Sequence, residues 1–249
     1  MMKPALSYKT PIRPHRWQDM PNGEAILFEI NKSLSPWWQR FFGYHLLKIG
    51  ALSGDISTKG CAIKHQMTLS QVKENAQIIG DLDELPLVKH SVDVCVLAHA
   101  LEFSIDPHHV VREASRVLIP NGYLVITGFN AISLAGLNCF LPVRRQKTPW
   151  NGRFFTPMRV KDWLNLMGFE ILSDERLLHS PLAYEMSNNL VTKKWQQIMH
   201  TLLPSFGSVY VIVAKKREWP LTPIKPKVRI RPSFAPVKVS TMNPPQCKK

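Results

Sequence analysis

Cysteine is scarce in this chain of 249 residues: Cys61, Cys95, Cys139 and Cys247 stand far apart, and none shares a C-x-x-C spacing. That excludes a zinc module or a disulfide framework, predicts no metal site, and fits a reducing, cytoplasmic setting. Long apolar runs are also lacking. Residues 122–143 carry no charge, but three glycines, two asparagines and a proline interrupt them. They read as a strand followed by an apolar loop, not as a spanning helix. The start, MMKPALSYKTPIRPHRW, is basic with no apolar run behind it, which excludes a signal peptide. Acids are few: 18 against 32 lysines and arginines, for a net charge of +14. Residues 215–249 hold ten of those bases and one acid, Glu218. The surplus is therefore mainly a tail property and not a basic domain face.

What is present suits one α/β domain with tails: 45% hydrophobic and 20% charged residues. Residues 1–20, with three prolines, read as an irregular arm. Residues 21–217 read as the folded domain. It opens with a helical cap over 22–43, where Asn22 is placed to cap and Pro36 to restart the helix before Trp37, Trp38, Phe41 and Phe42. These aromatics read as core that packs the cap over a ligand mouth. Strands are predicted at 46–52, 63–69, 76–80, 92–98, 123–129, 169–178 and 208–216. Helices are predicted at 106–118, 156–168 and about 184–202, with only a short one within 53–62. VDVCVLA (92–98) is apolar enough to be buried on both faces. Alternation of strands and helices predicts parallel pairing through right-handed crossovers, and the last two strands an antiparallel edge. Residues 218–249, with seven prolines, read as a disordered tail. By charge alone the tail suits anionic surfaces, and no element is suited to specific nucleic-acid reading.

Two stretches carry chemistry. LLKIGALSG (46–54) looks like a strand entering a glycine turn, with Gly50 and Gly54 spaced for a backbone approach to a nucleotide. Alone it is equally an ordinary strand-to-helix turn. The second stretch is GDLDELPLVKHSVDVCVLAHALEF (80–103). Gly80, Asp81, Leu85, Pro86 and Leu87 are followed by Val92, Asp93 and Val94, then by Leu101 and Glu102. Asp106, Pro107, Arg116, Val117, Leu118, Pro120, Asn121 and Gly122 continue the series. In order and spacing this resembles the type 11 domain of class I S-adenosylmethionine-dependent methyltransferases.

The resemblance implies a Rossmann-like three-layer α/β sandwich with a mostly parallel seven-stranded sheet and an antiparallel edge strand. It implies S-adenosylmethionine as cofactor. Asp81 takes the place of the acid that accepts from the adenine amino group, and Leu82 that of a nearby backbone amide. Ala98 and His99 match the strand end that lines the methionine side and the substrate. His99 is the one candidate base, with a packed histidine as the alternative. Gly50 and Gly54 would form the cofactor turn. Glu102 reads as structural or as a supporting hydrogen-bond acceptor, and Asp93 as orienting its strand.

The chain also departs from the family. Lys48 stands where an acid receives the cofactor's amino group, and would repel a sulfonium ligand. Leu52 stands at a glycine position and would crowd the backbone approach. An acid for the ribose hydroxyls is missing, leaving Ser70, Gln66 or Gln71 as weaker partners. The long segment after the fifth strand, 130–155, suits a substrate cover, and Arg144 and Arg145 would suit an acidic head. The expected function is methyl transfer to a small molecule. The alternatives are a catalytically inactive binding or regulatory protein on the same fold, and an RNA methyltransferase gripping through its tail.

Overall fold

The central strand, β4 (Val92–Ala98), is buried along its whole length. Strand side chains alternate between faces, so this requires layers on both sides of the sheet. The other strands are β1 (His45–Ile49), β2 (His65–Ser70), β3 (Ile78–Ile79), β5 (Leu118–Phe129), β6 (Phe169–Leu177) and β7 (Val209–Lys216). They form one seven-stranded sheet in the order β3-β2-β1-β4-β5-β7-β6. The first five pair in parallel. β7 runs antiparallel to both β5 and β6, so the last two strands make the antiparallel edge that the pattern predicted.

This computed structural model describes residues 12–73, 76–138, 147–182 and 203–218. The helix expected near 184–202, Arg144 and Arg145, and the tail beyond Glu218 lie outside the described residues. Contacts divide the chain into Met1–Glu218 and Trp219–Lys249.

The helices are α1 (Gly23–Trp38), α2 (Ala51–Gly54), α3 (Pro107–Val117), α4 (Leu134–Leu137) and α5 (Pro157–Leu166). On one face, Ile26, Ile30, Leu34 and Trp38 of α1 pack with Leu46, Val94, Val96 and Val125. On the other, Val110, Val111 and Ala114 of α3 and Val160 and Leu164 of α5 pack with Leu47, Leu97 and Ile126. Capping sets the helix starts. Asp106 accepts from the His109 amide at 3.1 Å, with Pro107 in the first turn. Thr156 does the same for the Arg159 amide at 3.3 Å.

The amino-terminal part differs from expectation. α1 is a single helix with Pro36 inside it, because a proline in the last turn costs one hydrogen bond two residues before the helix ends. Asn22 makes no side-chain cap. It sits at φ 58°, and its amide donates to the Leu182 carbonyl at 3.2 Å. Trp38 and Phe41 are core, but Phe42 is 71% exposed. Phe41 packs on Tyr123 of β5, which pairs with Val94 near the start of β4, ring centroids 4.8 Å apart. Residues 39–44 lead straight into β1, so the end of α1 must lie at the amino ends of the parallel strands. The aromatic cluster is therefore at the opposite end from any ligand crevice, and it does not cover one.

Candidate active site

β1 stops at Ile49, three residues earlier than its apolar pattern predicted. Gly50 takes φ 96°, a conformation that side chains strain to adopt, and turns the chain at once into α2. Its amide donates to the Leu69 carbonyl at 2.8 Å, holding the turn against the end of β2. Ser53 stitches the turn to the centre of the sheet. Its hydroxyl donates to the Ile49 carbonyl at 2.6 Å and accepts from the Ala98 amide at 2.8 Å.

Lys48 does not enter this crevice. It shares the α1 face of the sheet with Leu46, and its ammonium runs to the end of α2. There it donates to the carbonyls of Gly54 at 3.1 Å and Ile56 at 2.7 Å. These are carbonyls that a four-residue helix leaves without partners, so Lys48 caps α2. Burial, at 8% exposure, pushes its pKa down, and Asp55 opposes that shift. The expectation that Lys48 faces a sulfonium is thereby corrected. Leu52 likewise spends its side chain in the core of the α1 face, although it borders the crevice.

The strand order reverses between β1 and β4, and open α/β sheets bind ligands at the carboxyl ends of such a pair. A cavity lies there. It is lined by the Gly50–Leu52 turn, by Ser70 and Gln71 after β2, by Leu82, and by Ala98 and His99 at the end of β4. Of the residues singled out by sequence, Gly50, Leu82, Ala98 and His99 meet at this cavity. Asp81 is exposed at its edge, where it accepts from the Gln71 amide at 2.5 Å. Gly54 is placed elsewhere: it borders a polar cleft with Lys48, Gln66 and Thr68. Gln66 bonds to Thr58 and the Ile63 carbonyl and borders that other cleft, whereas Ser70 and Gln71 line the cavity. Burial, followed by the Asp81 charge, raises the pKa of Asp83 beside it.

Three features had no counterpart in the sequence reading. The amino-terminal arm, residues 12–20, lies across the cavity. Arg13 donates to the Phe103 carbonyl at 2.9 Å and to the Gln71 side chain. Trp17 is buried, in a short 3-10 turn, and its indole donates to the Leu52 carbonyl at 3.0 Å. With the arm in place the cavity measures about 50 Å³. The third feature is the setting of His99. It has φ 49°, is buried, and lies edge-on to Trp17 and against Phe129, with centroids 5.5 and 4.2 Å away. A non-glycine residue held at positive φ is a form of strain that recurs at functional sites. Its Nδ1 lies 3.3 Å from Glu102 Oε1, and that oxygen accepts from the Phe129 amide at 2.6 Å. Tyr210 reaches the same place from β7, and its pKa is raised well above the ordinary value by burial and then by the Glu102 charge.

Asp93 plays the part its sequence position implied, accepting from the amides of Tyr44 and His45 at 2.8 Å each. Among the described residues, no cluster of three or more His, Cys, Asp or Glu is placed to hold a metal. No helix among them is long and apolar enough to cross a membrane.

Comparison with known proteins agrees with this geometry. The methyltransferase domain family matches residues 47–126, from within β1 to within β5. The uncharacterized protein YafS of Escherichia coli (strain K12) is 42% identical over 221 residues, covering 89% of this chain and 88% of that protein. This chain belongs to the YafS family, and its core is a class I methyltransferase domain. The demethylmenaquinone methyltransferase of Chlamydia pneumoniae is 29% identical over 100 residues, 34% of this chain and 44% of that protein. Among solved structures, an S-adenosylmethionine-dependent methyltransferase from Archaeoglobus fulgidus superposes with a TM-score of 0.54 at 19% identity. It covers 76% of this chain and 94% of its own. One from Mesorhizobium loti gives 0.52 at 15%, covering 74% and 96%. At those identities the likeness concerns the fold.

Proposed function

We propose that the protein is a cytoplasmic enzyme that transfers a methyl group from S-adenosylmethionine to a small-molecule acceptor. The observation that carries this is the meeting of Gly50, Ser70, Gln71, Leu82, Ala98 and His99 at the switch point of the sheet. The residues suit that ligand. Gly50 and Ala51 offer backbone at a tight turn. Ser70 and Gln71 supply hydrogen bonds at the end of β2, where an acid is lacking. Asp81 offers an exposed carboxylate, and Leu82, Ala100 and Phe103 offer apolar surface. The bound cofactor supplies an electrophilic methyl group, and the protein's task is to align an acceptor with it. The ligand named for the Chlamydia relative, a demethylmenaquinone, is a small molecule, which supports that class over a macromolecular acceptor.

A cavity of about 50 Å³ is far below the roughly 300–1,000 Å³ of a typical ligand site. Entry of a nucleoside therefore requires the arm to lift and Arg13 to release Gln71. The closed arm also favours a second reading, a catalytically inactive member that keeps the fold. Titration calorimetry with S-adenosylmethionine and S-adenosylhomocysteine separates the two. Binding between about 1 μM and 1 mM, weakened at least about tenfold by Asp81→Ala, is the expected result. No heat at millimolar ligand sinks the enzyme reading, and unchanged affinity in Asp81→Ala removes Asp81 from the site.

A further inference from the structure

Glu102 looks at first like a purely architectural residue, tying the turn after β4 to the Phe129 amide. One oxygen suffices for that tie. The other, Oε2, is buried without a hydrogen-bond partner, and so are His99 Nε2 and the Tyr210 hydroxyl. Buried polar atoms are nearly always paired, so three exceptions at one place call for a cause. They are brought together by register. Gly128 of β5 stands directly opposite Tyr210 of β7. A Cβ at Gly128 would lie 2.3 Å from the Tyr210 hydroxyl and 2.7 Å from Glu102 Oε1. The missing Cβ leaves the space in which phenol and carboxylate approach each other.

We propose that Glu102 is a positioning residue that holds His99 in the Nδ1–H tautomer and so makes Nε2 the proton acceptor of the methyl-transfer site. This rests on the methyltransferase reading of the cavity that His99 lines. With Nδ1 turned to Glu102, the unprotonated Nε2 is the ring atom left for an acceptor. In the step, the acceptor's heteroatom–hydrogen bond breaks and its electron pair takes the methyl carbon. The sulfur–carbon bond breaks toward sulfur, and the proton passes to Nε2. One positive charge disappears at sulfur and one appears on the imidazolium, beside the Glu102 carboxylate. That placement follows the logic by which a buried carboxylate orients an imidazole and stabilises its cation. The charged and titratable groups around the ring are Glu102 from the turn, Tyr210 from β7, and Arg13 and His15 from the arm that lines the same cavity. The Gly50–Leu52 turn contributes none.

The test is nitrogen-15 NMR of the histidine rings in the full chain, with the His99 signals assigned by their loss in His99→Asn. The expected result is an unprotonated Nε2 and a protonated Nδ1 at neutral pH. In Glu102→Leu, which removes the acceptor facing Nδ1, the preference for the Nδ1–H tautomer should be lost, while amide dispersion reports an intact fold. Glu102→Asp, which keeps a carboxylate, should restore part of that preference. A protonated Nε2 in the wild-type chain overturns the proposal without any variant. A tautomer preference that is unchanged in folded Glu102→Leu does so as well. If calorimetry shows S-adenosylhomocysteine binding but the tautomer is wrong, Glu102's role falls alone. If no cofactor binds, the methyltransferase reading falls whatever the tautomer.

Discussion

Replacing Lys48 by methionine tests whether its ammonium serves the fold or the ligand. Methionine keeps the length and apolar stem of lysine, so packing changes little. What is lost is the pair of bonds to the Gly54 and Ile56 carbonyls, at 3.1 and 2.7 Å. A bond from a charged donor contributes roughly 1.5–3 kcal/mol, so the pair contributes about 3–6 kcal/mol in gross terms. Removing the ammonium also recovers the cost of burying it, the same cost that depresses its pKa. The net loss is about 2–4 kcal/mol, or roughly 4–16 °C in Tm for a domain of this size. Cofactor affinity should stay within about twofold, because Lys48 does not line the cavity. The alkaline limb adds a second readout. The folded pKa of Lys48 lies below 10.5, so between that value and 10.5 the unfolded chain binds more protons. Stability therefore rises with pH across that window, and Lys48→Met should flatten the rise. Differential scanning fluorimetry against pH, with calorimetry on the same samples, measures both. An unchanged Tm together with a tenfold change in cofactor affinity would refute the capping role and return Lys48 to the ligand.

Three further perturbations probe the frame of the cavity. Arg13→Ala removes the bonds to Phe103 and Gln71. It should make the open arm about tenfold more populated, read as faster tryptic cleavage at Arg16 and faster ligand association in stopped flow. Unaltered rates would show that the arm does not gate the cavity. Glu113 anchors the loop bearing Leu82. It accepts from the Leu85 amide, and Arg116 bonds both Glu113 and the Leu85 and Leu87 carbonyls. The Arg116 hydrogen bond holds the Glu113 carboxyl below its ordinary value of 4.5. Its contribution is complete above pH 4.5 and lost as pH falls through the folded value. Glu113→Gln should thus lower stability at pH 7 and shrink the acid-induced loss; parallel acid limbs in the two proteins would contradict this. Gly128→Ala forces a methyl to 2.3 Å from the Tyr210 hydroxyl. A loss of about 3 kcal/mol or more in urea unfolding is expected, and an unmoved midpoint would mean that Tyr210 has room to withdraw.

Much of the frame was legible because its causes are local. VDVCVLA is buried on both faces, and β4 spans those seven residues. Asp106 and Pro107 announce α3 because a cap needs only its own first turn. Lys48 was misread for a different reason. Its position in the motif was plain, but position in a motif does not say where a long flexible side chain ends. Strand alternation carried part of the answer, since it places Leu47 and Ile49 on the α3 face and Leu46 and Lys48 on the other. The missing link was the length of α2, whose four residues put unpaired carbonyls within reach of the ammonium.

The arm and the His99 setting could not be read locally at all. Arg13 meets Gln71 and Phe103 across 58 and 90 positions, and Trp17 meets Leu52 across 35. A proline-rich segment predicts irregular chain, and the 3-10 turn agrees, but irregular chain can still be a packed cover. Gly128 shows the same limit most sharply. In YLVITGF it looks like a weak point in a strand, since glycine has no side chain to pack. Antiparallel register sets it opposite Tyr210, and only then does its missing Cβ become the space in which Tyr210 approaches Glu102. The glycine joins the surroundings of Glu102 through a pairing between residues 82 positions apart. The resemblance at residues 80–128 located the cavity; the strand β7, outside that stretch, brings the Tyr210 phenol toward Glu102.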